Sequence, residues 1–341
     1  MKSWYTSETD GGMFISTRIR LARNIKNKPF PSHLDKKTAQ EIAAMVFDIF
    51  NSGKIKHDFD TFYFNDLSEN EKAVLFEKHL VSADFLSKSD LPRGVVISKD
   101  ETISIMINEE DHLRIQVIYP GFKLKEAYDL ARKLDTFINE KIPYEYHEKF
   151  GYLTHCPTNT GSGMRASVML HLPSLTYAGS IDNILSSISK LGFTIRGLYG
   201  EGTKAEGNIY QVSNQITLGK TDEEILRNLS DIINKISTSE KDITKQLYQK
   251  NDAMFKDRCM RALGILQNAY VLSSSEFIQL ASDVRNGIDL GIIKDIDPGA
   301  LNELLVLTRP ANIKKIAKRN LSADERDIFR AQFVRERLKQ K

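Results

Sequence analysis

Apolar and polar residues alternate along 13–25, where Arg18 and Arg20 are interleaved with Ile19 and Leu21. A period of two predicts a strand that carries both guanidiniums on one face. Between 37 and 52 the period lengthens, and Ile42, Met45, Val46 and Ile49 predict a helix. Ser68 followed by Glu71 is a capping-box signature for a second helix over 68–81, with Val74, Leu75 and Leu80 on its apolar side and His79 near its end. Residues 94–118 read as strands interrupted at Lys99-Asp100-Glu101 and again at the acidic run Asn108-Glu109-Glu110-Asp111. A helix over 124–141 follows, with Ala127, Leu130, Leu134 and Ile138 on one face. The pattern then predicts a strand over 165–172, a helix over 180–191, a glycine-punctuated loop within 193–202, and strands at 209–213 and at 216–218. Beyond 220 only helical periods occur. Thr221/Glu224, Ser273/Glu276 and Ser322/Glu325 repeat the capping signature, and Ile225, Leu229, Ile232, Ile233 and Ile236 form an apolar stripe. The order predicts an α+β region over 1–250 and an all-helical region over 251–341.

Composition narrows the class. Hydrophobic residues at 41% and charged residues at 27% are ordinary for a globular chain. No apolar run approaches the roughly 18 residues that span a bilayer, and the first residues lack the apolar core of a signal peptide, so the expected location is the cytoplasm without membrane attachment. Two cysteines, Cys156 and Cys259, are too few for a disulfide framework or a thiolate metal site. No protein-held metal is expected. A net charge of +3 is too small to argue for nucleic acid as a direct partner.

Three stretches carry candidate chemistry. Cys156-Pro157-Thr158-Asn159-Thr160-Gly161-Ser162-Gly163-Met164-Arg165 is a polar, glycine-punctuated loop ending on a cation. Taken alone it reads either as a hairpin loop or as a phosphate cradle of exposed N–H groups; without Gly-Lys-Ser/Thr it is not a Walker loop. Glu109, Glu110 and Asp111 require cations or water, and Arg114 is one available partner. Arg196 and Glu201 stand in a second glycine-rich loop.

Taken together, these pieces resemble the phosphagen (guanidino) kinases. The resemblance rests on Ser16-Thr17-Arg18-Ile19-Arg20, Asn108-Glu109-Glu110-Asp111-His112-Leu113-Arg114, Cys156-Pro157-Thr158-Asn159, Arg165-Ala166-Ser167 and Arg196-Gly197…Gly200-Glu201, in that order across roughly 13–245. It implies a catalytic domain built on an antiparallel sheet flanked by helices, ATP as phosphoryl donor and Mg²⁺ accompanying it. Arg18, Arg20, Arg114, Arg165 and Arg196 map onto the family's phosphate clamp. The wider nucleotide-binding positions are Ser16, Thr17, Ile19, His79, Ala166, Ser167, Val168, Met169, Gly197, Leu198, Tyr199, Gly200 and Glu201. Glu110 and Glu201 map onto the carboxylates that align the acceptor guanidinium, Glu110 being the expected general base. Cys156 maps onto the family's active-site cysteine, set against the guanidinium and near the arginines, with Gly161 and Gly163 as a hinge between acceptor and donor sites. Cys259 reads as a core residue.

Three departures from the small-guanidine members point to the family's protein-arginine kinase branch. The first arginine motif stands at 16–20 with no helical domain ahead of it, Tyr199 occupies a position usually held by arginine, and a helical region containing Arg326-Asp327-Ile328-Phe329-Arg330-Ala331 follows. In that branch this motif implies an allosteric phosphoarginine site at Arg326, Asp327, Arg330 and Ala331, with Asp327 as guanidinium acceptor and a nearby arginine as phosphate donor. Read from spacing alone it is a local salt-bridge pattern. The resemblance further implies arginine-bearing protein substrates, an activator or adaptor protein, a Clp protease system acting on the products, and homo-oligomers. A free-arginine kinase and a non-catalytic phosphoarginine-binding adaptor are the alternatives.

Overall fold

A computed structural model describes residues 3–6, 12–55, 57–197 and 205–339, apart from the side chains of Lys54 and Leu185. The first long element is β1 (Phe14–Arg23), followed by α1 (Lys36–Asn51) and β2 (Phe59–Tyr63). Next come α2 (Glu69–Glu77), α3 (Ala83–Leu86), β3 (Gly94–Ser98), β4 (Ile103–Ile107), β5 (Leu113–Pro120) and α4 (Leu124–Asn139). A small hairpin, β6 (Tyr146–His147) and β7 (Gly151–Tyr152), leads to β8 (Met164–His171), α5 (Pro173–Tyr177), α6 (Ile181–Ser189), β9 (Phe193–Gly197) and β10 (Ile209–Asn214). Helices complete the chain: α7 (Asp222–Asn268), α8 (Ser274–Asp289), α9 (Pro298–Leu307), α10 (Pro310–Ala317) and α11 (Ala323–Leu338).

Among the described residues, eight strands form one sheet in the order β2-β3-β4-β5-β1-β8-β10-β9, and neighbouring strands run antiparallel. Alternation gives this sheet two chemically different faces. Ile19, Leu21, Ile115, Val117, Ala166, Val168 and Val212 turn to one side and pack with α1, α4 and the first half of α7 into the main core. Arg18, Arg20, Arg114, Arg165 and Arg196 turn to the other.

Local sequence explains most element ends. Thr221 and Ser322 form full capping boxes with Glu224 and Glu325, and Ser273 accepts from the Glu276 N–H. The helix expected over 68–81 stops at Glu77. Its end is a Schellman turn, in which Leu80 N–H donates to Leu75 O (2.9 Å) and His79 N–H to Phe76 O (2.8 Å). His79 takes the left-handed position at φ +59, which glycine usually fills, so the stop carries no glycine signal. No strand forms at 216–218. There the Thr217 hydroxyl sits between Thr158 O (2.9 Å) and Thr160 O (2.7 Å) and fastens the 156–165 loop.

The all-helical region begins without a loop. Helix α7 runs through residue 250 and departs from helical geometry at Asn251 (φ −144, ψ 42). The main core takes α7 residues up to Ile243, whereas Cys259, Ala262, Leu263 and Leu266 belong to a separate core with α8, α9 and α11. Cys259 is buried there as expected. Among the described residues no helix is long and apolar enough to cross a membrane.

Candidate active site

Arg18 and Arg20 lie two residues apart on β1, and register carries the other arginines to them. Arg20 is directly opposite Arg165 on β8 and Gln116 on β5, and Arg196 on β9 is opposite Gln211 on β10. Like charges facing each other across a sheet are destabilising, so the arrangement implies an anion. All five arginines line one cavity of about 210 Å³, together with His79, Ser82, Asp84, Gln116, Gln211 and Ser213.

Fixed contacts hold several of these guanidiniums in place. Arg114 pairs with Glu109 at 2.7 Å, and Glu109 also accepts from the Ser82 hydroxyl. Arg18 donates to Gln211 Oε1, and Arg165 Nε donates to Asn214 O at 3.3 Å. Arg20 Nε is buried without a hydrogen-bond partner among the described residues. Burial, reinforced by Arg114 and Arg165, pushes the Arg18 pKa down to about 10. Burial and the charges of Arg18, Arg114 and Arg165 hold Arg20 well below its ordinary value, with Glu109 opposing. His79 is pushed down to about 3 by burial, Arg18 and Arg309, so its ring is neutral.

Alternation divides the expected nucleotide set between the two faces of the sheet. The side chains of Thr17, Ile19, Ala166 and Val168 point away from the cavity. Thr17 donates to Gly121 O (2.7 Å), and the other three are core residues. Ser16 and Ser167 are buried in the sheet, with the Ser167 hydroxyl 3.4 Å from Arg18 O. Met169 packs with Ile15, Ile209 and Leu305, away from the arginines. Gly197 lines the cavity. Leu198, Tyr199, Gly200 and Glu201 lie outside the described residues. Gln211, Ser213, Ser82, Asp84 and Gln116 were not singled out from sequence; the polar spacing of Gln211 and Ser213 on an otherwise apolar strand was the available signal.

The acidic run divides its work. Glu109 is the buried partner of Arg114. Asp111 accepts from Asn24 Nδ2 (2.6 Å) and His155 N–H (2.7 Å), joining this turn to the 156–165 loop. Glu110 projects to solvent, with Asn159 Nδ2 at 3.4 Å. Protein crowding on one side and the neighbouring Asp111 and Glu109 carboxylates push its pKa above the usual carboxylate range, while Arg114 opposes. Glu110 thus joins one end of the loop and Arg165 occupies the other. Cys156 does not line the arginine cavity; its Sγ lies 3.0 Å from Thr158 Oγ1.

The two loop glycines are close-approach points. At Gly163 (φ +64) a Cβ would lie 2.5 Å from Arg23 Nη1 and 2.7 Å from Ala22 O. At Gly161 (φ +117) it would lie 2.7 Å from Thr217 O. Gly161 exchanges backbone hydrogen bonds with Tyr152, and Gly163 O accepts from Ala22 N–H. These contacts pin the loop where a hinge was expected.

The RDxxRA segment sits on α11. Arg330 is almost fully buried and already committed, with Nε to Thr308 O (2.8 Å) and Nη1 to Leu272 O (2.7 Å) and Asp327 Oδ1 (2.5 Å). Arg330 thereby ties α11 to the connection between α7 and α8 and to the end of α9. Arg326 Nη1 donates to Leu321 O at 3.2 Å, and Ala331 is core. The Asp327 carboxylate remains partly exposed.

Comparison with known proteins identifies this arrangement. Residues 41–243 match the family model described as "ATP:guanido phosphotransferase, C-terminal catalytic domain". Residues 252–341 match "Protein-arginine kinase McsB C-terminal domain". The chain belongs to the ATP:guanido phosphotransferase family, in its protein-arginine kinase branch. The protein-arginine kinase of Halothermothrix orenii is 46% identical over 325 residues, covering 95% of this chain and 92% of that one. The protein-arginine kinase of Clostridium kluyveri is 46% identical over 341 residues, covering 99% of each. Among solved structures, the duplicated taurocyamine kinase of Schistosoma mansoni with bound transition-state-analogue components superposes with a TM-score of 0.61 at 25% identity, over 71% of this chain and 36% of that one. The antiparallel sheet with flanking helices is therefore the phosphagen-kinase fold, and membership of this branch makes the chain an ATP-dependent phosphotransferase.

Proposed function

We propose that this kinase transfers the ATP γ-phosphoryl group to the guanidinium of arginine residues in proteins, with the five-arginine cavity as the phosphate clamp. The observation that carries the reading is the convergence of five guanidiniums, from four strands, on one cavity of one sheet face. Phosphoryl transfer requires in-line positioning and charge neutralisation, and bidentate arginines supply both. The orphaned Arg20 Nε fits a phosphate oxygen. Mg²⁺ is proposed to enter on the triphosphate and to keep several of its waters.

Glu110 is the candidate base. Its raised pKa improves a carboxylate as proton acceptor. An acceptor guanidinium nitrogen forms the N–P bond, the bond from phosphorus to the ADP oxygen breaks, and the guanidinium proton passes to Glu110. Glu201 is the proposed second aligning carboxylate, and Cys156 an orienting group beside the acceptor. His79, Ser82 and Gln211, which line the cavity, are the proposed neighbours of the nucleotide. The catalytic unit is assigned to 1–250 and the phosphoarginine-responsive unit to 251–341, with the division at the Asn251 irregularity. In the second unit, Asp327 is the acceptor for a phosphoarginine guanidinium.

Cytoplasmic, oligomeric action on stress-response regulators and proteins destined for a Clp protease, with an adaptor, is the physiological setting proposed from the branch. The test is incubation with Mg-ATP, free arginine and an unfolded arginine-rich protein, followed by mass spectrometry under non-acidic handling. Phosphate on protein arginine is expected. Phosphate confined to free arginine would refute the assignment of substrate, and ATP binding without any transfer would favour an adaptor. Titration calorimetry with phosphoarginine tests Asp327. Affinity undiminished in Asp327→Ala would remove it from the ligand site.

A further inference from the structure

His79 lines the arginine cavity in a strained, left-handed conformation that a non-glycine residue holds only when its surroundings enforce it. Those surroundings come from three distant parts of the chain. Gln116 Nε2 donates to His79 O (2.7 Å). Trp4 is buried beside it, with ring centroids 6.0 Å apart, and donates Nε1–H to Lys78 O (3.2 Å). Trp4 is itself packed with Val306 and Leu307 at the end of α9.

The third support is α10, held by Glu77, the last residue of α2. Its carboxylate accepts from Ala311 N–H, Asn312 N–H and Asn312 Nδ2, all at 2.9 Å. A carboxylate at the first turn of α10 meets free N–H groups and the positive end of the helix. This seats α10 on the C-terminal end of α2, immediately before the residue pair Lys78–His79. The other end of the contact leads to the RDxxRA helix, because Arg330 Nε holds Thr308 O (2.8 Å) immediately before Arg309, the N-cap of α10.

We propose that Glu77 is a positioning residue: by clasping the N-terminus of α10 it holds the His79 corner of the arginine cavity in its nucleotide-binding shape, making the C-terminal helices part of the ATP site. The inference rests on the reading of that cavity as the ATP-phosphate site. Glu77 touches neither substrate nor reacting atoms, so its loss weakens nucleotide binding and leaves the chemical step largely intact.

The experiment compares wild type, Glu77→Ala, Glu77→Gln, Asn312→Ala and the Glu77→Ala/Asn312→Ala double variant. KM for Mg-ATP and kcat are measured, alongside Mg-ATP titrations read by fluorescence of Trp4, the single tryptophan of the chain. The expected result is a KM about tenfold higher in Glu77→Ala with kcat changed less than about threefold, a smaller effect in Glu77→Gln, and a fluorescence midpoint that moves with KM. Asn312→Ala shifts KM in the same direction, and the double variant is little worse than Glu77→Ala because both remove one contact. A folded Glu77→Ala with unchanged KM overturns the proposal, as does full additivity in the double variant. Should Glu77→Ala fail to fold, Asn312→Ala decides, and an unchanged KM there refutes the clasp. Arg20→Ala separates the underlying reading: if its Mg-ATP affinity equals that of wild type, the cavity is not the phosphate site and the clasp falls with it.

Discussion

Replacing Arg20 by methionine should make the nucleotide-free protein more stable while removing most of its activity. Arg20 faces Arg165 across the ladder, shares a strand face with Arg18, and feels Arg114, while Glu109, the carboxylate that offsets its charge, is already bonded to Arg114 and Ser82. Two like charges about 6 Å apart repel by about 3 kcal/mol at an effective dielectric near 20. The cavity is open and Glu109 offsets part of the repulsion, so a net relief of about 1–2 kcal/mol is the expected scale, in line with replacing unfavourably placed charges by apolar groups of similar length. Methionine keeps an unbranched stem against the sheet. Loss of one preorganised donor to a developing phosphoryl charge lowers kcat by about 10²–10³.

Thermal unfolding with and without inorganic pyrophosphate measures both halves of this argument. Wild type should gain stability from the anion by about 2.7 kcal/mol at a hundredfold excess over Kd. Arg20→Met should start from a higher melting temperature and gain less. A variant that melts below wild type and still responds fully to pyrophosphate would refute the claim that the guanidiniums are held in mutual repulsion for a ligand.

Glu110→Gln should retain Mg-ATP affinity and lose at least about 10² in kcat. Because its pKa is raised and the base must be ionised, the wild-type rate should fall as pH drops through a value above the usual carboxylate range, and a pH–rate profile for kcat/KM without that limb would remove Glu110 from the base role. His112 is fully buried as a neutral ring, accepting from Ile25 N–H (2.9 Å) and donating to Pro29 O (2.8 Å). Its pKa is lowered from 6.5 to about 4, chiefly by burial, so the unfolded chain takes up the proton first; stability should be intact above pH 6.5 and decline by about 3 kcal/mol as pH falls to 4, as chemical denaturation across that window would show. Arg23→Ala should destabilise by about 3–5 kcal/mol, since it strands the buried Asp135 paired at 2.9 Å; a denaturation midpoint within error of wild type would contradict that pairing.

Arg23 marks both the reach and the limit of reading the sequence. It belongs to the same basic run as Arg18 and Arg20, and the period of two already separates them. Even-numbered positions face the cavity, while Arg23 turns into the core, where Asp135 and the Tyr152 ring, 3.6 Å from its Cζ, receive it. The alternation was legible; the partner was not, because Asp135 is supplied by α4. Capping residues likewise announced α2, α7, α8 and α11, yet the stop of α2 was hidden by a histidine where glycine is usual. Motif order brought the five arginines together correctly. Gln211, Ser82 and Asp84 escaped notice because each lies in a segment with no charge cluster or glycine pattern of its own. A short apolar run at 216–218 resembled a strand, but Thr217 spends its hydroxyl on two loop carbonyls instead of continuing the ladder.

The least legible feature is the one that decides where a ligand can bind. The arginine-bearing sheet face continues past the cavity to Met169 and His171, and nothing in its alternation says which part stays open. The C-terminal helices settle it. Leu305 of α9 packs on Ile15, Met169 and Ile209, and His171 Nε2 meets Ser282 Oγ at 2.7 Å, so that end of the face is closed by apolar contact and a buried hydrogen bond. At the other end α10 approaches only as far as Glu77, 234 residues away in sequence from Ala311, and stops beside the arginines without covering them. Like charges would repel any helix laid over that part unless it brought carboxylates, and the one carboxylate at the contact belongs to the sheet domain and points outward to cap α10. The same helices that complete one half of the face therefore leave the other half available to an anion, and they do so through contacts that no local pattern encodes.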